Sequence, residues 1–238
     1  MSNYYILQLL AGKDFAKKNY FAKQMQNFSY FIGDLNTRSC FIIDPAWNIK
    51  DLINIAKNNN IKITGILATH HHQDHVGGNF FNVHIEGIKQ MIKLNPCKVH
   101  AHKLDVNKII SSTRLNKKYI ISHESGDNIK IGDINITILH TPGHTEGSCC
   151  YKTNKFLFSG DTLFINGCGR TDLPGSNIDD MYNSLHNKIS QLPENLILYP
   201  GHAYGGNKER LSNVKKNNPF LKIKKLNMWH KMRNSTLS

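Results

Sequence analysis

Short apolar runs rich in β-branched and aromatic residues recur along the chain, broken by polar and glycine-containing stretches. Residues 4–10, 27–32 and 40–43 read as early strands, separated by Gly33-Asp34 and similar turn chemistry. Residues 13–26 are polar and basic and predict a loop or short surface helix. Asp44-Pro45 ends the third strand, because proline cannot donate to a ladder. Ile49, Leu52, Ile53 and Ala56 fall at helical spacing within 48–60, and Asn58-Asn59-Asn60 stops that helix. The run 63–69 is apolar and β-branched, as in a buried strand. Strand, helix and strand in succession imply helices packed on a sheet.

Beyond it, 85–94 predicts a helix ended by Asn95-Pro96, 98–101 a strand, 104–116 a stretch with helix potential, and 119–122 a strand. Residues 128–131 and 134–139 form a hairpin around Gly132-Asp133. Strands follow at 148–151 and 156–158. Met181, Leu185 and Ile189 predict a helix over 179–192, with Pro193 just beyond. Residues 195–199 are the last clear strand and 208–216 a helix. With no low-complexity linker and no fixed repeat, the reading is one domain over 1–219 and a basic tail, 220–238, that can be helical.

Composition narrows the class. A chain of 238 residues with 39% hydrophobic content supports one substantial core. No stretch approaches the roughly 20 apolar residues that a membrane span needs. The apolar start lacks the basic region and cleavage site of a signal peptide. The five cysteines, Cys40, Cys97, Cys149, Cys150 and Cys168, are odd in number and form no C-x-x-C pair. Free thiols in a reducing, cytoplasmic setting are therefore expected. Cys149 and Cys150 read as small buried hydrophobes. Cys168, in a glycine-rich loop, could approach an active site, but no base lies near it in sequence. The net charge of +13 is diffuse, with a denser run over 215–233, so nucleic acid ranks behind a small-molecule substrate as partner.

The chemistry concentrates at Thr69-His70-His71-His72-Gln73-Asp74-His75, followed by Val76-Gly77-Gly78. His70, His72, Asp74 and His75 sit where a core strand opens into a loop, and imidazole with carboxylate suits zinc or iron. Three later stretches also place a ligand residue just after a strand: His140-Thr141-Pro142-Gly143-His144, Ser159-Gly160-Asp161-Thr162 and Pro200-Gly201-His202. Each has glycine directly before its ligand candidate, which permits tight backbone geometry. A glycine-flanked histidine alone is usually only a turn; the four together indicate one metal centre.

The set T-H-x-H-x-D-H, T-P-G-H-T, S-G-D-T-L-F and P-G-H resembles the metallo-beta-lactamase superfamily over nearly the whole chain. That resemblance implies an α/β (α+β) fold, an αββα sandwich of two mixed sheets with helices on the outer faces. Carried over residue by residue, His70, His72 and His144 hold a first metal. Asp74, His75 and His202 hold a second, and Asp161 bridges them. Asp74 also helps orient the attacking water, so Asp74 and Asp161 are the catalytic pair. Two zinc ions per chain are implied, with iron as the alternative. His71 takes the variable place in the motif, turned away or supporting a ligand, and His140 is structural. His84, His100, His102, His123, His186 and His230 match no position of the pattern.

The loop Gly167-Cys168-Gly169-Arg170-Thr171-Asp172 resembles glyoxalase II and its relatives, in which the basic residue and a tyrosine two places after the last ligand histidine contact glutathione. Here these are Arg170 and Tyr204, and a guanidinium pairs well with a carboxylate. A loop salt bridge for Arg170 and simple packing for Tyr204 are the alternatives. The sequence departs from glyoxalase II in Thr171-Asp172 and in the short stretch after His202, where that enzyme has a helical glutathione-binding domain. The same loop resembles persulfide dioxygenases, which hold one iron through two histidines and an aspartate, here His70 or His72 with His144 and Asp161. The expectation is a metal-dependent thioester hydrolase acting on an acylglutathione. A persulfide dioxygenase is the alternative, and a nucleic-acid-processing enzyme of the same fold the second.

Overall fold

A computed structural model describes residues 3–80 and 82–235. Its first half contains β1 (Tyr4–Leu10), α1 (Tyr20–Met25), β2 (Phe28–Asp34), β3 (Ser39–Ile43), α2 (Ile49–Asn58), β4 (Lys62–Leu67) and α3 (Gln73–Val76). A short hairpin of β5 (Gly78–Phe80) and β6 (Val83–Ile85) leads to α4 (Ile88–Leu94), β7 (Lys98–His102), α5 (Val106–Thr113) and β8 (Ile120–His123). The second half contains β9 (Asn128–Ile131), β10 (Ile134–His140), β11 (Cys149–Lys152), β12 (Phe156–Gly160), α6 (Ile178–Asn183), β13 (Ile197–Pro200) and β14 (Glu209–Arg210). Three helices close the chain: α7 (Leu211–Asn217), α8 (Pro219–Lys222) and α9 (Leu226–Ser235).

Two six-stranded sheets form, ordered β1-β2-β3-β4-β7-β8 and β14-β13-β12-β11-β10-β9. Both are mixed: β3-β4-β7-β8 and β12-β13 run parallel, and the other neighbours antiparallel. Strand alternation explains the stacking. Phe28, Tyr30 and Ile32 of β2 and Ile134, Ile136 and Ile138 of β10 point into one shared core, which is the inside of a sandwich. Ile42 and Ile66 face the opposite way, onto Leu52 of α2, Ile88 of α4 and Ile109 of α5. On the far side, Leu157 and Leu198 meet Met181, Leu211 and Val214. The order of layers is helix, sheet, sheet, helix, as expected.

Local departures have physical causes. Residues 83–85 pair in the hairpin, so the helix expected over 85–94 starts only at Ile88. The helix expected over 179–192 is α-helical to Asn183 and then widens into a π-turn at Ser184–Lys188. Met181, Leu185 and Ile189 are all fully buried. At a strict spacing of four, an α-helix would rotate them apart, and the wider turn keeps them on one face. Residues 209–210 pair with the edge of β13 before α7 begins, a contact that local sequence does not encode. In the basic segment 220–238, α9 buries Trp229 completely and Arg233 almost so; residues 236–238 lie outside the described part. Among the described residues no helix is long and apolar enough to cross a membrane.

Candidate metal centre

The candidate ligands converge at one edge of the sandwich, where β3, β4, β10, β12 and β13 end. Residues 68–72 leave β4 and lead into the single turn of α3, which presents Asp74 and His75. The two halves are stitched together here by backbone hydrogen bonds from Cys149 N to Thr69 O (2.9 Å) and from Phe28 N to Gly201 O (2.8 Å). Gly201 has to be glycine: a Cβ would lie 2.2 Å from Asp161 Oδ1.

The motif ligands form two groups of three ligand atoms; a further trio, Asp44, His70 and His75, shares its histidines with them. His72 Nδ1 lies 3.1 Å from His70 Nε2 and 2.9 Å from His144 Nε2. His75 Nε2 lies 3.2 Å from His202 Nε2, and Asp74 Oδ2 is 3.4 Å from each of them. Ligands about 2.0–2.1 Å from a tetrahedral zinc are separated by about 3.3 Å, so both groups have the right spacing. Asp161 spans them: Oδ2 lies 3.6 Å from His144 Nε2 and 3.3 Å from His202 Nε2, and Oδ1 lies 3.4 Å from His75 Nε2. Asp161 Oδ1 is buried without a hydrogen-bond partner, which a cation between the groups would correct. The donor set fits two zinc ions.

The atoms behind the ligands fix their tautomers. His75 Nδ1 donates to Asp44 Oδ2 (3.0 Å), His144 Nδ1 to the Arg170 carbonyl (2.9 Å) and His202 Nδ1 to the Met25 carbonyl (2.6 Å). Thr69 Oγ1 donates to Asp44 Oδ2 (2.6 Å) and so accepts from His70 Nδ1 (3.0 Å). With Nδ1–H fixed, each of these four imidazoles directs Nε2 inward, bare in His70 and His144 and bare in His75 and His202 once they are neutral, the arrangement that supports metal ligation. Asn27 completes the set. The Trp47 indole N–H donates to its Oδ1 (3.0 Å), so its amide N–H must face Asp74 Oδ2 at 2.9 Å.

Electrostatics divide the two groups. Burial, reinforced by neighbouring imidazoles, pushes His70 well below the ordinary range and His72 down to about 3. Burial also lowers His144. Burial opposes charge on His75 as well, but Asp74 and Asp161 outweigh it and raise His75 to about 9. Against the same opposition, Asp161 raises His202. Despite burial, His75 and His202 hold the Asp74 and Asp161 carboxyls far below the usual carboxylate range. Without metal, protons on His75 and His202 balance the two carboxylates; metal uptake must release them.

Residues 22–202 match the family model of the metallo-beta-lactamase superfamily. The chain belongs to this superfamily. It is 30% identical over 209 residues to the probable polyketide biosynthesis zinc-dependent hydrolase BaeB of Bacillus velezensis, covering 87% of either chain. It is 37% identical over 185 residues to the cytoplasmic hydroxyacylglutathione hydrolase of Arabidopsis thaliana, covering 75% of this chain and 64% of that one. It therefore spans just under two thirds of that relative. The solved structure of ETHE1 from Myxococcus xanthus superposes with a TM-score of 0.79 at 25% identity, covering 98% of this chain and 92% of that one. This chain is a metal-dependent hydrolase of the superfamily, resembling zinc-dependent hydrolases and hydroxyacylglutathione hydrolases in sequence.

Around this superfamily centre, Arg170 and Tyr204 lie at the rim. The Arg170 side chain is 67% exposed and forms a two-point pair with Asp172 at 2.9 and 2.5 Å. Tyr204 stacks parallel on His202 (centroids 4.6 Å apart) and donates its hydroxyl to the Met25 carbonyl (3.1 Å). His71 turns away, its Nδ1 3.0 Å from Asp105 Oδ2. His140 stacks on His102 at 3.8 Å, with its Nε2 2.9 Å from the Glu146 carbonyl, and His100 Nδ1 lies 2.9 Å from His123 Nε2. Cys168 is buried and its thiol is pushed up to about 12 by burial, so it is no nucleophile.

Four supporting residues escaped the sequence reading: Asn27, Asp44, Trp47 and Thr69. In the sequence Asp44 marks only the end of a strand. It and Trp47 both hold positive φ, 48° and 73°, and nothing local in the sequence marks that strain.

Proposed function

We propose that this hydrolase cleaves a thioester, an acylglutathione or a close chemical relative, using two zinc ions. The observation that carries the reading is the pair of three-ligand groups formed by the motif residues, with Asp161 Oδ1 buried between them without a hydrogen-bond partner. His70, His72 and His144 would hold the first zinc, Asp74, His75 and His202 the second, and Asp161 would touch both. When bound, the ions lower the pKa of a water and draw charge from the thioester carbonyl.

The chain's own residues do the positioning. Asn27 Nδ2 donates to Asp74 Oδ2 and lies 3.3 and 3.4 Å from His75 Nε2 and His202 Nε2, so it packs against all three ligand atoms of the second group, while Asp74 and Asp161 accept hydrogen bonds from the attacking water. The oxygens behind His70, His75, His144 and His202 keep these imidazoles from turning. At the rim, the Arg170 guanidinium takes a carboxylate of the substrate in competition with Asp172, and the Tyr204 ring lies along the thiol carrier. The departing group is a thiolate, which needs less help to leave than an amine. The five free thiols support a reducing, cytoplasmic compartment as the place of action.

Metal content and turnover test this together. Two zinc ions per chain and acylglutathione hydrolysis are expected, and Arg170→Ala should raise KM while largely preserving kcat. One iron per chain with oxygen uptake on glutathione persulfide would instead support the dioxygenase. Salt-sensitive cleavage of nucleic acid, with no thioester turnover, would support the third reading.

A further inference from the structure

The loop 164–171 lies directly against the candidate first-metal group. A Cβ on Gly169 would sit 2.1 Å from the Asp161 carbonyl oxygen and 2.9 Å from His144 Cγ. The next residue, Arg170, supplies the carbonyl that accepts the His144 Nδ1 proton. If that carbonyl moves, the imidazole loses what sets its tautomer, and Nε2 is no longer held bare. Yet the loop has little regular structure of its own, beyond a bridge between Phe164 and Gly167.

Its polar groups are held instead by two buried side chains from the end of the chain. Asn218 is fully buried, and its Nδ2 donates to the carbonyls of Phe164 (3.0 Å), Ile165 (3.2 Å) and Gly167 (3.0 Å). Arg233 on α9 is 6% exposed. Its Nη2 donates to the Gly169 carbonyl (3.1 Å) and to Thr171 Oγ1 (2.8 Å), its Nε to the same hydroxyl (3.1 Å), and its Nη1 faces Cys168 Sγ (3.6 Å). The guanidinium carbon lies 5.6 and 5.8 Å from the centroids of the neighbouring Phe220 and Trp229 rings. A rigid planar donor fork packed against two rings fixes both the distance and the direction of the carbonyls it binds.

We infer that Arg233 and Asn218 are positioning residues of the metal centre: the C-terminal helices clamp the 164–171 loop onto His144 and so set the affinity for the first metal. This rests on the metal reading above. Neither residue touches a ligand, and both lie downstream of the last ligand histidine, in a run that composition alone marks only as basic.

The test uses the full chain with zinc as the probe. Wild type, Arg233→Met, Arg233→Lys and, as a control on the same helix, Met228→Ala at an exposed position are compared by near-ultraviolet circular dichroism. Zinc affinity is measured by competition with a chelator, and the Nδ1–H resonance of His144 is followed by NMR in histidine-labelled, zinc-loaded protein. Arg233→Met should stay folded, bind the first zinc about 10–100-fold more weakly, and broaden or lose the His144 resonance. Arg233→Lys should fall between it and wild type, and Met228→Ala should match wild type. A folded Arg233→Met with wild-type affinity and an unchanged resonance overturns the clamp, even if its melting temperature has dropped. If Arg233→Met does not fold, Arg233→Lys decides: wild-type affinity and resonance overturn the inference, weaker binding with a perturbed resonance supports it. A wild-type chain that takes up no zinc overturns the metal centre itself, a result distinct from equal binding by both chains.

Discussion

Asp44→Asn offers the sharpest test of how the centre is supported. Asp44 is buried and accepts three hydrogen bonds: Thr69 N to Oδ1 at 2.8 Å, Thr69 Oγ1 to Oδ2 at 2.6 Å, and His75 Nδ1 to Oδ2 at 3.0 Å. Asparagine tolerates the left-handed backbone that Asp44 adopts at φ 48°, so the substitution changes chemistry and not backbone strain. Its amide must present N–H to at least one of these donors. If the N–H group replaces Oδ1, the Thr69 backbone N–H loses its acceptor. If it replaces Oδ2, the Thr69 hydroxyl can rotate away, but His75 must either lose its partner or move its proton to Nε2, the atom aimed at the second metal. Hydrogen bonds to a buried charge contribute about 1.5–3 kcal/mol each, so losing one or two, with partial relaxation, should cost about 3 kcal/mol. For a domain of this size that lowers Tm by about 6–12 °C. Affinity for the second metal should fall about 10–100-fold, as for other losses behind a ligand. Thermal melts of metal-free protein and a zinc titration measure the two effects separately. A variant that melts and binds two zincs like wild type would refute the role assigned to Asp44.

Other outcomes follow from the same geometry. Asp161→Asn should abolish thioester turnover and reduce zinc uptake, read by metal analysis; full activity would overturn the site assignment. The part of the stability that rests on neutral His100 and His102 should hold steady above pH 6.5 and decline as the pH falls from 6.5 towards 4, whereas in metal-free protein the part that rests on charged His75 is lost as the pH rises from 6.5 towards 9. Burial holds His100, beside His123, and His102, beside His140, down to about 4, so the unfolded chain binds their protons first. His100 alone accounts for up to about 3 kcal/mol of that decline. Urea unfolding across this range checks it, and a His100→Asn variant should show a shallower slope; an equal slope would exclude His100 as a source. Cys168→Ser should keep its activity, and native wild type should resist thiol reagents at Cys168 until unfolded, because that thiol is buried and pushed up to about 12; rapid labelling of the folded chain would contradict this.

Much of the molecule is legible in local sequence, because the relevant physics is local. A strand inside a sandwich must be apolar on one or both faces, so β2, β4 and β10 announce themselves. A metal centre needs several strong donors within a few ångströms. Four of them come from one loop at 70–75, where spacing along the chain is also spacing in space. His144, Asp161 and His202 carry glycine signatures for the same reason: each must leave a strand sharply beside a crowded centre.

What resisted reading is long-range. Asp44 meets Thr69 across 25 positions, and Asn27 meets Asp74 across 47; a lone Asp before proline or Asn before phenylalanine looks like a strand end. Arg170 and Asp172 are adjacent enough to pair, but whether that pair or a substrate takes the guanidinium depends on what faces the loop. Arg233 is the clearest case. In the sequence it is one cation among many, while in the fold it is buried against Gly169 and Thr171 across 62–64 positions. The sequence by itself determined which donors exist and which strands deliver them, since both depend on residue type and near neighbours. The tertiary structure alone decided which atoms stand behind those donors, because an orienting hydrogen bond depends on where two distant segments meet, and neither carries a mark of the other.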